Sequence, residues 1–198
     1  MYHEGMQWLA ILLLAQAKWQ EENRLGEEAF RRADIAASLK HFDRAIEMEP
    51  RLKPQHWQRG ISLYYAKRYN DCRRQFELHR TVNPEDVENA AWHFLCTARA
   101  ASIGEARKKL IPVRGDVRIP MSEVQLLYAG KSTVERVLSA AGADRSGLFY
   151  AHLYIGLYYE AAGEVKAAGE HIRKAAEDYG ADHYMGDVAR VHLKLWRN

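Results

Sequence analysis

The side chains with chemical potential are nine histidines, two cysteines and a dense polar string, Arg114-Gly115-Asp116-Val117-Arg118. A metal or acid/base pair built on one helix needs histidines a turn apart, as in H-x-x-x-H or H-E-x-x-H, so that two ring nitrogens share a face. The chain contains neither pattern. His93 stands in the apolar string Trp92-His93-Phe94-Leu95, and His152 and His171 belong to different helical segments, so these rings read as structural. Cys72 and Cys96 lack zinc-ligand spacing and read as inert buried thiols. Arg114, Asp116 and Arg118, with Glu123 one turn into the following helix, form a candidate pocket for a carboxylate or phosphate held by a bidentate guanidinium. With His93 and His152 added, this pocket is where an enzyme or small-ligand reading would place its chemistry. In the competing reading, Asp116, Arg118 and Glu123 pair with one another and pin an irregular connection. We assign no catalytic residue, metal ligand or cofactor from these patterns.

Charge narrows the partners. Lys and Arg total 29 against 26 Asp and Glu, a formal net charge of +3, so no strong field is aimed at nucleic acid or an anionic membrane. The run Lys67, Arg68, Arg73, Arg74 is interleaved with Asp71 and Glu77 and reads as a solvated helix face rather than a phosphate-tracking stripe.

The elements that would position these residues come from internal repetition. With 198 residues, 47% hydrophobic and 28% charged, the chain suits one domain or one short repeat array and is not disordered. An offset of 34 aligns Gly26 with Gly60, Phe30 with Tyr64, Ile35 with Tyr69, Ser38 with Cys72, Phe42 with Phe76 and Pro50 with Pro84. An offset of 96 carries Gly60 to Gly156, Cys72 to Ala168 and Phe76 to Ile172. A small residue on a first helix, then a small and a large residue on a second, is what two closely packed antiparallel helices require, and Pro50 and Pro84 close their units. First helices are expected over Gly26–Ala33 and Trp57–Ala66, and second helices within Ile35–Glu49 and Tyr69–Val82. The expected fold class is all-α, as units at about 19–52, 53–86 and 87–118, a compressed hairpin over 119–142, a further unit over 147–180 and a capping helix over 182–196.

Gly26, Ser38, Phe42 and Pro50, and again Gly60, Cys72, Phe76 and Pro84, make the sequence resemble the tetratricopeptide repeat family. The resemblance implies a right-handed solenoid of about five helical hairpins plus a C-terminal cap. The strings WQRGISLYYAKRYNDCRRQFELHRTVNPED, AAWHFLC, DVRIPMSEVQLLYAG and YAHLYIGLYYEAAG are similar to a little-characterised group of small bacterial and plant repeat proteins, distantly similar to an outer-membrane adaptor lipoprotein for periplasmic proteases. That likeness implies a non-catalytic protein-protein adaptor that takes a peptide or partner helix on its concave face. First-helix residues expected there are Trp57, Ile61, Tyr64, Tyr65, Leu95, Arg99, Tyr150, Leu153 and Leu157. The Lys and Asn arrangement by which some relatives clamp a C-terminal carboxylate is absent, since its sites hold Asn23, Glu27, Trp57 and Ile61.

The apolar run Met6–Ala17 ends in Ala15-Gln16-Ala17, a small-x-small triplet of the type signal peptidase cuts, and is too short to span a bilayer. Residues 1–17 are therefore expected to be a signal peptide, giving an exported, periplasmic or secreted protein that begins at Lys18. Residues 1–7 lack Lys and Arg and contain Glu4, which leaves a second reading in which Trp8, Leu9, Leu12 and Leu13 face the core of a cytoplasmic protein's first helix.

Overall fold

One backbone position sets each of four helix-helix turns. Ala33 (φ 64°), Lys67 (φ 58°), Gly130 (φ 73°) and Gly163 (φ 83°) lie in the left-handed region just past the end of a helix. In each case the following N–H reaches back to a carbonyl in the last helical turn: Asp34 to Ala29 at 2.9 Å, Arg68 to Leu63 at 2.9 Å, Lys131 to Leu126 at 2.8 Å and Glu164 to Tyr159 at 2.9 Å. This is the Schellman arrangement, which satisfies orphan carbonyls and reverses the chain at once. Positions 33, 67 and 163 stand in the same register as Gly26, Gly60 and Gly156.

The computed structural model describes residues 18–196; the segment on which the signal-peptide expectation falls lies outside them. The described residues are all-α, without strands. α1 covers 18–31 and α2 Ile35–Met48, followed by a 3-10 turn, Pro50–Gln55. Then come α3 (Trp57–Tyr65), α4 (Tyr69–His79), α5 (Val87–Ala100), α6 (Ile103–Lys108), α7 (Met121–Tyr128) and α8 (Val134–Ala141). α9 (Arg145–Ala162) pairs with α10 (Val165–Arg173), a π turn covers Lys174–Asp178, and α11 (Tyr184–Trp196) ends the described chain. Asp34, Asp86, Thr133 and Asp144 each accept a backbone N–H at the start of a helix, which fixes where α2, α5, α8 and α9 begin.

The paired small and large residues meet as the repeat predicts. A Cβ on Gly60 would lie 2.8 Å from the Phe76 ring, one on Gly26 2.6 Å from Phe42, and one on Gly156 2.8 Å from Ile172. Phe42, Phe76 and Ile172 are themselves fully buried. The third hairpin departs from this pattern. α6 has 6 residues, its turn uses Ser102, whose Oγ accepts the Glu105 N–H at 3.2 Å, and an irregular stretch follows to the start of α7.

Two expectations need correction. Cys72 on α4 and Cys96 on α5 are not separate thiols but a disulfide, with Cα atoms 5.9 Å apart, because α4 and α5 are antiparallel neighbours. And α11 does more than cap the last hairpin. It packs on α10 and also crosses α1 and α3: Tyr184 stacks on Phe30 at 5.2 Å and meets Trp57 edge-on at 5.1 Å. Arg31 Nε donates to Asp187 at 2.8 Å, and Lys194 Nζ to the Arg32 carbonyl at 3.0 Å. Of the helices expected to line an open groove, α3 is therefore covered, together with α1, by the chain's own C-terminal helix.

Candidate functional site

Between α3, α4, α5, α9 and α11 the covering leaves a cavity of about 370 Å³, within the range of small-ligand sites. Its walls are aromatic, from Trp57, Phe76, Trp92, Tyr150 and Tyr184, and its polar lining includes Asp86, Glu88 and Asn89. Among the described residues no Lys or Arg lines it; His79 does, with its ring nitrogen 2.9 Å from the Pro54 carbonyl, and so does His183, whose pKa burial lowers. Asn89 is 3% exposed and Trp92 1%. Neither end of the Asn89 amide, nor the Trp92 indole N–H, has a hydrogen-bond partner among the described residues. A buried polar group left unpaired costs about 1–3 kcal/mol.

The acidic side of the cavity is organised by Arg118. Its guanidinium lies 2.6 Å from each of Asp86, Glu88 and Asp116. Asp86 also caps α5 through the Glu88 N–H at 2.9 Å, and the Tyr154 hydroxyl donates to Glu88 at 2.6 Å. Burial pushes the Glu88 carboxyl up, against the Tyr154 hydrogen bond and the charge of Arg118. Burial also opposes ionisation of Asp116, but bonds from Arg118 and from the Val87 and Arg118 N–H groups outweigh it and hold that carboxyl below its usual value. The Tyr150 hydroxyl is pushed up to about 12, by burial first and then by the Glu88 charge. Among the described residues, one guanidinium against these three carboxylates leaves the cluster negative, whether or not Glu88 is ionised.

The polar residues proposed from sequence do not assemble into one pocket. Arg118 and Asp116 bind each other and the start of α5, as the pinning alternative held, but Glu123 instead accepts the Ser132 hydroxyl at 2.6 Å and faces Arg136 at 3.6 Å. The Arg114 and Gly115 N–H groups donate to Glu85 at 3.1 and 2.9 Å. His93 lies 3.4 Å from Glu77, and His152 shares a 2.9 Å contact with His171 and stacks on Tyr179. Arg114 and Asp116 line a smaller recess of about 210 Å³ with Gln125. Among the described residues no group of three or more His, Cys, Asp or Glu side chains is placed to hold a metal ion, and no described helix is long and apolar enough to cross a membrane.

The groove residues divide in two. Ile61, Tyr64, Leu95, Leu153 and Leu157 are interior, so their assignment to a contact surface is corrected: they hold the hairpins together. Tyr64 instead donates to Glu160 at 2.8 Å. Tyr65 is half-buried against α11, its hydroxyl 3.0 Å from His192, and exposed Arg99 lies against Tyr69 and Glu160. Trp57 and Tyr150 line the cavity. Sequence reasoning missed Asp86, Glu88, Asn89, Trp92 and Tyr184; the one available signal was an Asn inside the stretch Val87-Glu88-Asn89-Ala90-Ala91-Trp92, whose other members are mostly apolar. No family model matches the chain, and no curated protein is significantly similar to it.

Proposed function

We propose that this chain is a non-catalytic interaction module, a right-handed solenoid of the tetratricopeptide type, that binds a protein or peptide partner at the mouth of the aromatic cavity. The observation carrying this reading is the cavity itself: five aromatic side chains around a space of about 370 Å³ that Asp86, Glu88 and Asn89 also line. Aromatic side chains dominate binding surfaces because they bury large areas at low entropy cost. The repeat turns at 33, 67 and 163, in register with the small residues at 26, 60 and 156, support the tetratricopeptide assignment. An exported location fits the Cys72–Cys96 pairing, since disulfides persist in oxidising compartments. The test is recovery of bound proteins from the source cells with the parent protein and with Trp57→Ala and Tyr150→Ala, each checked for unchanged helical content. A partner held by the parent and lost from both variants supports the module; recovery unaffected by either overturns it.

A further inference from the structure

Deepening that reading, and resting on it, we propose that the cavity recognises an arginine side chain presented by the partner chain. The argument is one of complementarity. Trp57, Trp92, Tyr150 and Tyr184 offer aromatic faces and edges around a space large enough for one long side chain. Asp86 and Glu88 line the same space, and with Asp116 they exceed the single Arg118 in charge. Aromatic walls beside excess carboxylate favour an organic cation over a neutral or anionic group, because ring quadrupoles and carboxylates act in the same direction. A planar guanidinium stacks on rings and donates in a fork, which an ammonium does not.

The partner-borne source of that cation comes from the module reading itself, in which a peptide or helix of the partner occupies the mouth of the cavity.

The experiment is calorimetric titration of the full chain with acetyl-Gly-Arg-Gly-amide, the same peptide carrying citrulline (a neutral isostere), the same peptide carrying Glu, and agmatine as a free guanidinium. The arginine peptide should bind at least about tenfold more tightly than the citrulline peptide, weaken as salt is raised, and outcompete agmatine. Glu88→Gln keeps a side chain of the same length beside Tyr154, and Asp86→Asn keeps a cap for α5, so both should fold while losing that preference. Citrulline or Glu peptides binding as well as the arginine peptide, or none of the probes binding, would overturn the cation assignment. Agmatine binding without either peptide would overturn the partner-borne source. If the arginine preference is absent while Trp57→Ala still loses the cellular partner, the cation assignment alone fails. If the arginine peptide binds but partner recovery ignores Trp57, the module reading fails instead.

Discussion

Two seams hold this molecule together, and they are built differently. Within the α1–α2, α3–α4 and α9–α10 hairpins, a glycine faces the large residue of the next helix, and the contact recurs at Gly26–Phe42, Gly60–Phe76 and Gly156–Ile172. Where α11 crosses α1 and α3, no contact recurs: Phe30 meets Tyr184, and Arg31 meets Asp187 from 156 positions away. The hairpin seams are tight and local. The α11 seam is mixed aromatic and polar, and it leaves the cavity beside it. Close packing gives the hairpin seams their stability, and the proposed site sits at the looser, long-range junction.

The contrast breaks most severely at Phe76. Phe76→Ala should lower unfolding free energy by about 3–5 kcal/mol in chemical denaturation, since the ring is fully buried against Gly60. Tyr184→Ala should cost less, about 1–3 kcal/mol, because α11 keeps other contacts, yet it should also open the cavity and change the tryptophan fluorescence from Trp57. A loss at Tyr184 as large as that at Phe76 would erase the distinction between the seams.

Acid should act next. Burial, then the His171 charge, lowers the His152 pKa to about 4 from 6.5, and burial, then Arg59, lowers His56 to about 4. An unfolded histidine takes up its proton near 6.5 and these folded ones do not, so their contribution is complete above about pH 6.5 and is lost as pH falls towards 4. Melting temperature should fall across that window, and His152→Gln should flatten part of the fall. A profile unchanged between parent and variant would contradict the buried neutral ring. The smallest effect is expected at Lys67, a non-glycine residue at φ 58°: Lys67→Gly should be neutral to stabilising by up to about 1 kcal/mol, whereas a clear loss would mean that the turn is not left-handed there.

Sequence alone revealed the hairpins because their contacts are short-range and repeat, so one offset of 34 exposes Gly60 against Phe76 without knowledge of the tertiary fold. The course of α11 was hidden for the opposite reason. Its pattern of Tyr184, Val188, Val191 and His192 shows that one face is buried but does not say against which helix. The Cys72–Cys96 pairing stayed hidden likewise, because it depends on α4 lying beside α5. Trp57 and Tyr150 of the first-helix stripe line the cavity, but the same stripe also delivered Ile61, Tyr64, Leu95, Leu153 and Leu157, which are core. A helical stripe is one-dimensional and cannot separate the half of a face that packs inside from the half that lines a cavity. Asn89 stands out in the sequence only as a polar residue in a mostly apolar stretch; that its amide lacks partners among the described residues is visible only in the structure.

Everything proposed for the site rests on α11 returning across α1 and α3. The direct measurement is nuclear Overhauser contact between the ring protons of Tyr184 and those of Phe30 and Trp57 in the isotope-labelled chain. With centroids 5.2 and 5.1 Å apart, both contacts should be observed, and Tyr65 should show a contact to His192. A Tyr184 ring that shows neither contact, and instead titrates as a solvent-exposed phenol, would contradict the closed arrangement and the cavity with it.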